Sequence, residues 1–240
     1  MRVTLLLAIG LVLFAPTVAA AQDSQPALRE DKPLGLMNED ELIQAAKKFR
    51  DTGRLLDARA ALRILQSRND RNLEGLQLDG EIALLTTPMD VSGAQKSFLT
   101  AIKLQPADFR ANFGLGQIQF RSRSYRQAQA YLEIAARSAP KDKEAELYAM
   151  LAQCCRANGM KPEAYAAVKK AIAVDPASRE AHEVNISLLS SDRNFDQALV
   201  EADALVELNR EAVRTASNKR EALAKLHGAG KTVGGTDELV

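Results

Sequence analysis

Residues 115–140 read LGQIQFRSRSYRQAQAYLEIAARSAP, and this stretch predicts the fold of the chain. Its second half places Ala128, Leu132 and Ala135 at positions i, i+4 and i+7, which is the spacing of one face of a helix. Pro140 follows, and proline cannot continue a helix. The stretch therefore predicts the end of one helix, a tight turn and a complete second helix.

The same spacing occurs five times along the chain. Each occurrence starts at an alanine that stands 34 or 36 residues after the previous one, at Ala58, Ala94, Ala128, Ala164 and Ala198. A second helical segment precedes each alanine, so the repeating unit is helix, turn, helix. The second unit fits this scheme only if its turn, around Thr86, Thr87 and Pro88, holds about two additional residues.

These units resemble the tetratricopeptide repeat, whose pattern is W-x2-L-G-x2-Y, then A-x3-F, then P. The third unit carries the best match, at Leu115, Gly116, Tyr125, Ala128, Leu132, Ala135 and Pro140. No unit has the opening tryptophan, whose place is taken by Leu42, Asn112, Tyr148 and His182. The resemblance covers about residues 39–212 and implies an all-α fold, a right-handed α-solenoid of about five helix-turn-helix units with a C-terminal capping helix. The units are predicted near 39–72, 73–108, 109–142, 145–178 and 179–212.

The first 21 residues have the pattern of a secretory signal peptide. Arg2 gives a positive start, an apolar run follows, and Ala19 and Ala21 are the small residues before a cut at Gln22. The alternative is an uncleaved anchor, which needs about 20 apolar residues, and the run falls short of that before Pro16. We therefore expect an exported protein, with the periplasm favoured over secretion.

Three further segments lie outside the repeats. Residues 22–38 contain two prolines and few large apolar residues, and we predict a flexible leader there. Within residues 210–227, Val213, Ala216, Leu223 and Leu226 could form one apolar stripe of a helix, and this predicts the capping helix. Residues 228–240 contain four glycines and are predicted to be a disordered tail.

The composition is that of a globular protein, with 46% hydrophobic and 26% charged residues and a net charge of +1. Such a balance gives no electrostatic reason to expect nucleic acid or a membrane surface as a partner. After signal cleavage we also expect no insertion into a membrane. The expected partners are other proteins, or extended peptide segments of envelope proteins.

Residues able to perform catalysis are scarce. Gly230-Lys231-Thr232 copies the end of a phosphate-binding loop, but the required glycine five positions earlier is Lys225. Cys154 and Cys155 are adjacent, without His, Asp or Cys at metal-ligand spacing, and we expect them to be small apolar side chains in the core. We therefore predict a non-catalytic scaffold with no cofactor and no metal. The alternative is an accessory subunit or enzyme with an unrecognised site near these cysteines.

The resemblance implies that the first helix of each unit lines a concave groove, which is the candidate protein-binding site. In the third unit, one face carries aromatic and basic side chains on the side away from Leu115 and Ile118. We therefore predict a groove formed by Lys47, Arg50, Arg110, Phe113, Gln117, Phe120, Arg121, Gln153 and Arg156. Aromatic residues and arginines are typical of protein-binding surfaces. The alternative is that Phe113 and Phe120 pack against adjacent helices.

Overall fold

The computed structural model describes residues 32–211 and residue 214. These residues form helices without any strand, starting with a short 3-10 helix at Leu34–Leu36. The α-helices are α1 Glu39–Asp51, α2 Leu55–Arg68, α3 Leu73–Leu85, α4 Val91–Leu104, α5 Phe109–Arg121, α6 Tyr125–Ala135, α7 Lys141–Ala157, α8 Lys161–Val174 and α9 Arg179–Ser191. A last helix, α10, occupies 195–211. The predicted signal peptide, residues 22–31, nearly all of the predicted capping helix and the predicted tail lie outside the described residues.

The helices form pairs that stack on one another in chain order. α1 pairs with α2, α3 with α4, α5 with α6, and α7 with α8, and each pair then packs against the next. Every extensive contact between these helices joins neighbours or next neighbours in the chain. The described residues are therefore an all-α solenoid, in which each pair buries its apolar face against the following pair.

The turns inside the pairs share one backbone feature. Four of them hold a residue with positive φ, at Gly53, Arg123, Gly159 and Arg193. Glycine adopts this conformation at no steric cost, whereas the two arginines reach it against their preference. The turn between α3 and α4 is different, because it runs over five residues, 86–90, where the others run over three. The extra length agrees with the two additional residues expected in the second unit.

Small residues allow the helices to approach closely. The five alanines of the repeat, at positions 58, 94, 128, 164 and 198, are all buried. Phe98 of α4 is fully buried against two glycines, Gly80 of α3 and Gly114 of α5. A Cβ atom at Gly114 would lie only 2.4 Å from the Phe98 ring, so a larger residue at this position would force the ring to move.

One predicted boundary needs correction, and one helix extends beyond its predicted unit. The expected flexible leader is wrong for residues 34–38, because Leu34 and Met37 pack against the core of α1 and α2, and Arg68 donates hydrogen bonds to the carbonyl oxygens of Gly35 and Met37. α7 begins at Lys141, one turn before the predicted start of the fourth unit at 145. Pro140 sets that start, since its ring is compatible with the position before a helix but not with its interior.

Candidate protein-binding groove

A cavity of about 670 Å³ opens along α1, α3 and α5 and reaches the start of α7. We call this cavity the groove. Its walls come from the first helices of the first three units, with Pro140 and Lys143 at the far end. Six of the nine predicted residues line it: Lys47, Arg50, Arg110, Phe113, Gln117 and Arg121.

The three other predicted residues do not line the groove. Phe120 is half-buried and meets the ring of Tyr125 edge-on, with ring centroids 5.8 Å apart. Gln153 is half-buried on α7 and Arg156 is exposed near its end. The groove that the structure describes is therefore shorter at its C-terminal side than the sequence predicted.

The aromatic residues form part of the wall and contribute little exposed surface. Phe113 is only 8% exposed and stacks on Phe109, with ring centroids 5.3 Å apart and planes 14° from parallel. Phe113 also belongs to the apolar cluster that contains Leu132 and Leu147. Most of the surface of Phe113 and Phe120 is therefore buried, as in the alternative interpretation that both side chains pack against adjacent helices. Phe109 was missed, although its i, i+4 spacing to Phe113 is visible in the sequence.

A polar network crosses the floor of the groove and joins three units. Glu81 of α3 accepts two hydrogen bonds from Arg110 of α5, from Nε at 2.6 Å and from Nη2 at 2.8 Å. On its other side, Arg50 of α1 lies 3.4 Å from the same carboxylate. Burial disfavours the charged form of Arg110, but the hydrogen bonds and charge of Glu81 outweigh it and raise the pKa of Arg110. Glu81 therefore neutralises much of the positive charge of two arginines.

The network continues into the cap of α5. Arg110 Nη1 donates to Oε1 of Gln77 at 2.7 Å, and Gln77 Nε2 donates to Oδ2 of Asp108 at 2.6 Å. Asp108 also accepts the backbone N–H of Ala111 at 2.7 Å, which is a typical N-cap bond. The start of α5 is thereby held to α3 by side chains as well as by apolar packing.

The remaining charges of the groove fall into two groups. Lys47 is paired with Glu74 at 2.6 Å, and Lys143 with Glu146 at 3.1 Å. Arg121 has no carboxylate partner among the residues that the structure describes. Its Nη1 donates to the sulfur of Met89 at 3.2 Å.

Several groove residues from the second unit were missed by the sequence analysis. They are Glu74, Glu81, Leu84 and Leu85, all on α3. The irregular turn of this unit obscured its register. Aligning Gly80 with Gly116 places Glu81 at the position of Gln117, and this alignment is the signal that could have identified it.

The two cysteines lie in the core, away from the groove. Burial first, and then the adjacent Cys155, raises the pKa of the Cys154 thiol to about 12. The pKa of Cys155 is also raised, chiefly by burial. Over the described part of the chain, no group of three or more His, Cys, Asp or Glu side chains could hold a metal ion. Nor does any helix within it have the length and apolar character needed to cross a bilayer.

The comparison with protein families identifies one unit of the array directly. Residues 145–178, which hold most of α7 and all of α8, match the tetratricopeptide repeat family model. Its start at 145 coincides with the predicted unit and leaves the first turn of α7 outside the repeat. No curated protein gave a match to the chain.

Solved structures extend the comparison to most of the chain. YrrB, described as a TPR protein with an unusual peptide-binding site, is 16% identical, with a TM-score of 0.62, and the match covers 76% of this chain and 92% of YrrB. The chain has the tetratricopeptide repeat fold.

Two bacterial proteins share this fold at similar distance. MamA from Desulfovibrio magneticus RS-1 is 20% identical, with a TM-score of 0.64, over 73% of this chain and 97% of that one. PilF from Pseudomonas aeruginosa is 15% identical, with a TM-score of 0.62, over 70% and 75% of the two chains. At these identities, the tetratricopeptide fold is what the proteins have in common.

Proposed function

We propose that this protein is an exported, non-catalytic scaffold that holds an extended segment of another protein, from the bacterial envelope, in the groove. The observation that carries the proposal is the cavity along α1, α3 and α5, which brings aromatic, aliphatic and basic side chains to one surface. Its volume of about 670 Å³ lies within the range typical of ligand sites and suits a few side chains of a bound segment.

The walls of the groove combine the two elements that such binding needs. Leu85 and the half-buried Phe109 supply apolar surface, Phe113 packs behind them in the wall, and the ion pairs around Glu81 hold the walls in place before a ligand arrives. YrrB, which has the same fold, is described as a protein with a peptide-binding site. Export rests on the signal-peptide pattern of residues 1–21, and the envelope location of the partner rests on export.

The groove can be tested by filling it. Gln117 lines the groove, whereas Gln127 is exposed on α6 and does not. We expect Gln117→Trp to abolish the binding of peptides selected from an envelope-protein peptide array, because the indole would occupy the cavity. Gln127→Trp is the matched control and should bind the same peptides as the wild-type protein. Equal binding by both variants would show that the groove is not the site.

Export has a separate test. The full chain, produced in a bacterial host, should lose its first 21 residues, so that intact mass spectrometry finds a new N-terminus at Gln22. A full-length protein retained in the cytoplasm would contradict this part of the proposal.

A further inference from the structure

Among the residues that the structure describes, Arg121 is the basic side chain of the groove that has no carboxylate partner. Each of the other four has a carboxylate oxygen within 3.4 Å; they are Lys47, Arg50, Arg110 and Lys143. Arg121 is exposed, and the sulfur of Met89 is the one polar contact that the structure describes for it. A guanidinium stays charged at neutral pH, so the described groove carries an uncompensated positive charge at this residue.

Apolar side chains lie at the same end of the groove. Leu84 and Leu85, at the end of α3, line it together with Arg121. Leu85 is 56% exposed, and Met89, which contacts Arg121, is 38% exposed. Large apolar side chains beside a charged group therefore face the space that a ligand would occupy.

We propose that the groove selects an extended acidic segment in which a carboxylate stands next to a bulky apolar side chain. The carboxylate binds Arg121, and the apolar side chain covers Leu84 and Leu85. This inference rests on the proposed function and names the chemistry of its ligand. The carboxylate can belong to an acidic side chain or to the C-terminus of the partner, since either oxygen pair suits a guanidinium.

The charges of the groove exclude a preference for a basic segment. The two acidic residues that line it, Glu74 and Glu81, already have basic partners, so a basic segment would find no free carboxylate there. It would also be repelled by Arg121. A neutral segment would cover Leu85 but leave the guanidinium without an anion.

The test measures fluorescence anisotropy with short labelled peptides that differ at one position. Their central pair is Asp-Leu, Asn-Leu or Lys-Leu, and each is made with a free and with an amidated C-terminus. We expect the Asp peptide to bind about tenfold more tightly than the Asn peptide, because only the carboxylate pairs with Arg121. If the Asp preference persists after amidation, the side-chain carboxylate is the group bound. If the Asp and Asn peptides bind alike and amidation weakens both, the terminal carboxylate is the group bound.

A matched pair of variants links the preference to Arg121. Arg121→Gln should weaken the Asp peptide about tenfold and leave the Asn peptide unchanged, a coupling that a double-mutant cycle isolates. Arg126→Gln is the control, because Arg126 is exposed on α6 and does not line the groove. Arg121→Glu should reverse the order in favour of the Lys peptide. Circular dichroism should show that all three variants are folded, since both side chains are exposed.

The outcomes separate this inference from the proposed function. Acidic and neutral peptides that bind equally well, whether the C-terminus is free or amidated, and that are both lost in Gln117→Trp, would overturn the inference and leave the groove as a binding site. An acidic preference that survives in Arg121→Glu would also overturn it. Peptides whose binding is unaffected by Gln117→Trp would refute the groove itself, and with it the inference.

Discussion

Asn112 and His182 occupy the same position in the third and fifth units, where the repeat pattern has tryptophan. Both are buried, and both face the carbonyl oxygen of the proline six residues earlier. Asn112 Nδ2 donates to Pro106 O at 2.9 Å, and His182 Nε2 lies 3.0 Å from Pro176 O. Polar side chains are thus tolerated at this core position because each finds a backbone acceptor.

His182 also faces a second acceptor, and this makes stability depend on pH. Its Nδ1 lies 2.7 Å from Oε2 of Glu201 on α10, so only the protonated ring can donate to both acceptors. Burial lowers the pKa of His182, but the hydrogen bonds to Pro176 and Glu201 and the charges of Glu201 and Asp175 outweigh it, so the pKa is raised. The stabilisation is complete below the unfolded pKa of about 6.5 and is lost as the pH rises through the folded value.

We therefore expect the free energy of unfolding to fall as the pH rises above about 6.5, and to fall less in His182→Asn. Asparagine can still donate to Pro176, as Asn112 does to Pro106, so the variant should remain folded. Urea titrations across this range measure the difference. His227→Asn, which removes the other histidine of the chain, is the control and should keep the wild-type slope. The same slope in both variants would contradict the assignment.

The cysteines lead to a second prediction at this scale. Cys154 and Cys155 are buried and their pKa values are raised, so little thiolate forms near neutral pH. We expect an aromatic disulfide reagent at about pH 8 to label neither thiol in the native protein and both after denaturation. Rapid labelling of one thiol in the folded state would instead support the alternative of an accessory subunit or enzyme that uses this site.

At the scale of a single element, α8 shows how the repeat depends on small side chains. Ala164 is fully buried where α8 meets α7, whereas Ala166, two residues later, is exposed. The helix itself needs neither alanine, since leucine is nearly as good a helix former. The small side chain at position 164 is therefore required by the short distance between α7 and α8, and not by the helix itself.

Exchanging each alanine for leucine separates packing from helix propensity. Ala164→Leu should lower the free energy of unfolding by about 1 to 3 kcal/mol, because the added atoms have no space between α7 and α8. Ala166→Leu should leave it within about 0.5 kcal/mol of wild type. Chemical denaturation measures both. Indistinguishable values for the two variants would mean that the assigned register of the fourth unit is wrong.

At the scale of the whole molecule, stability is distributed along the stack. α9 packs on α7 and α8, and none of the extensive contacts of the described helices reaches further along the chain. The chain therefore behaves as a row of coupled units, and each unit can be removed with consequences limited to its neighbours.

Truncation at two points tests this. A chain that ends at Ser178 loses the fifth unit and should keep α1–α8 helical with a lower thermal midpoint, because only the face toward α9 is exposed. A chain that ends at Gly159 also loses α8, the main partner of α7, and should lose the helical signal of α7 as well. Circular dichroism during heating records both. Complete unfolding of the chain that ends at Ser178 would contradict the nearest-neighbour description.

The repeat and its helices could be predicted from the sequence because they depend on local spacing. The i, i+4, i+7 pattern after Ala128 and the proline at 140 predict a helix and its end without knowledge of any partner. Alignment of the units without a gap placed the opening position of the first helix in four units, at Leu42, Asn112, Tyr148 and His182. It did not place that position in α3, because the longer turn between α3 and α4 shifts the register.

The pairing of charges in the groove was decided only by the tertiary structure. Glu81 pairs with Arg50 and Arg110, which lie 31 residues before it and 29 residues after it. Arg121 has no carboxylate partner within residues 32–211. Such contacts between side chains of different units depend on the rotation and distance between successive units. These are set by the close approach of helices at residues such as Phe98 and Gly114, and the spacing within one helix does not contain that information.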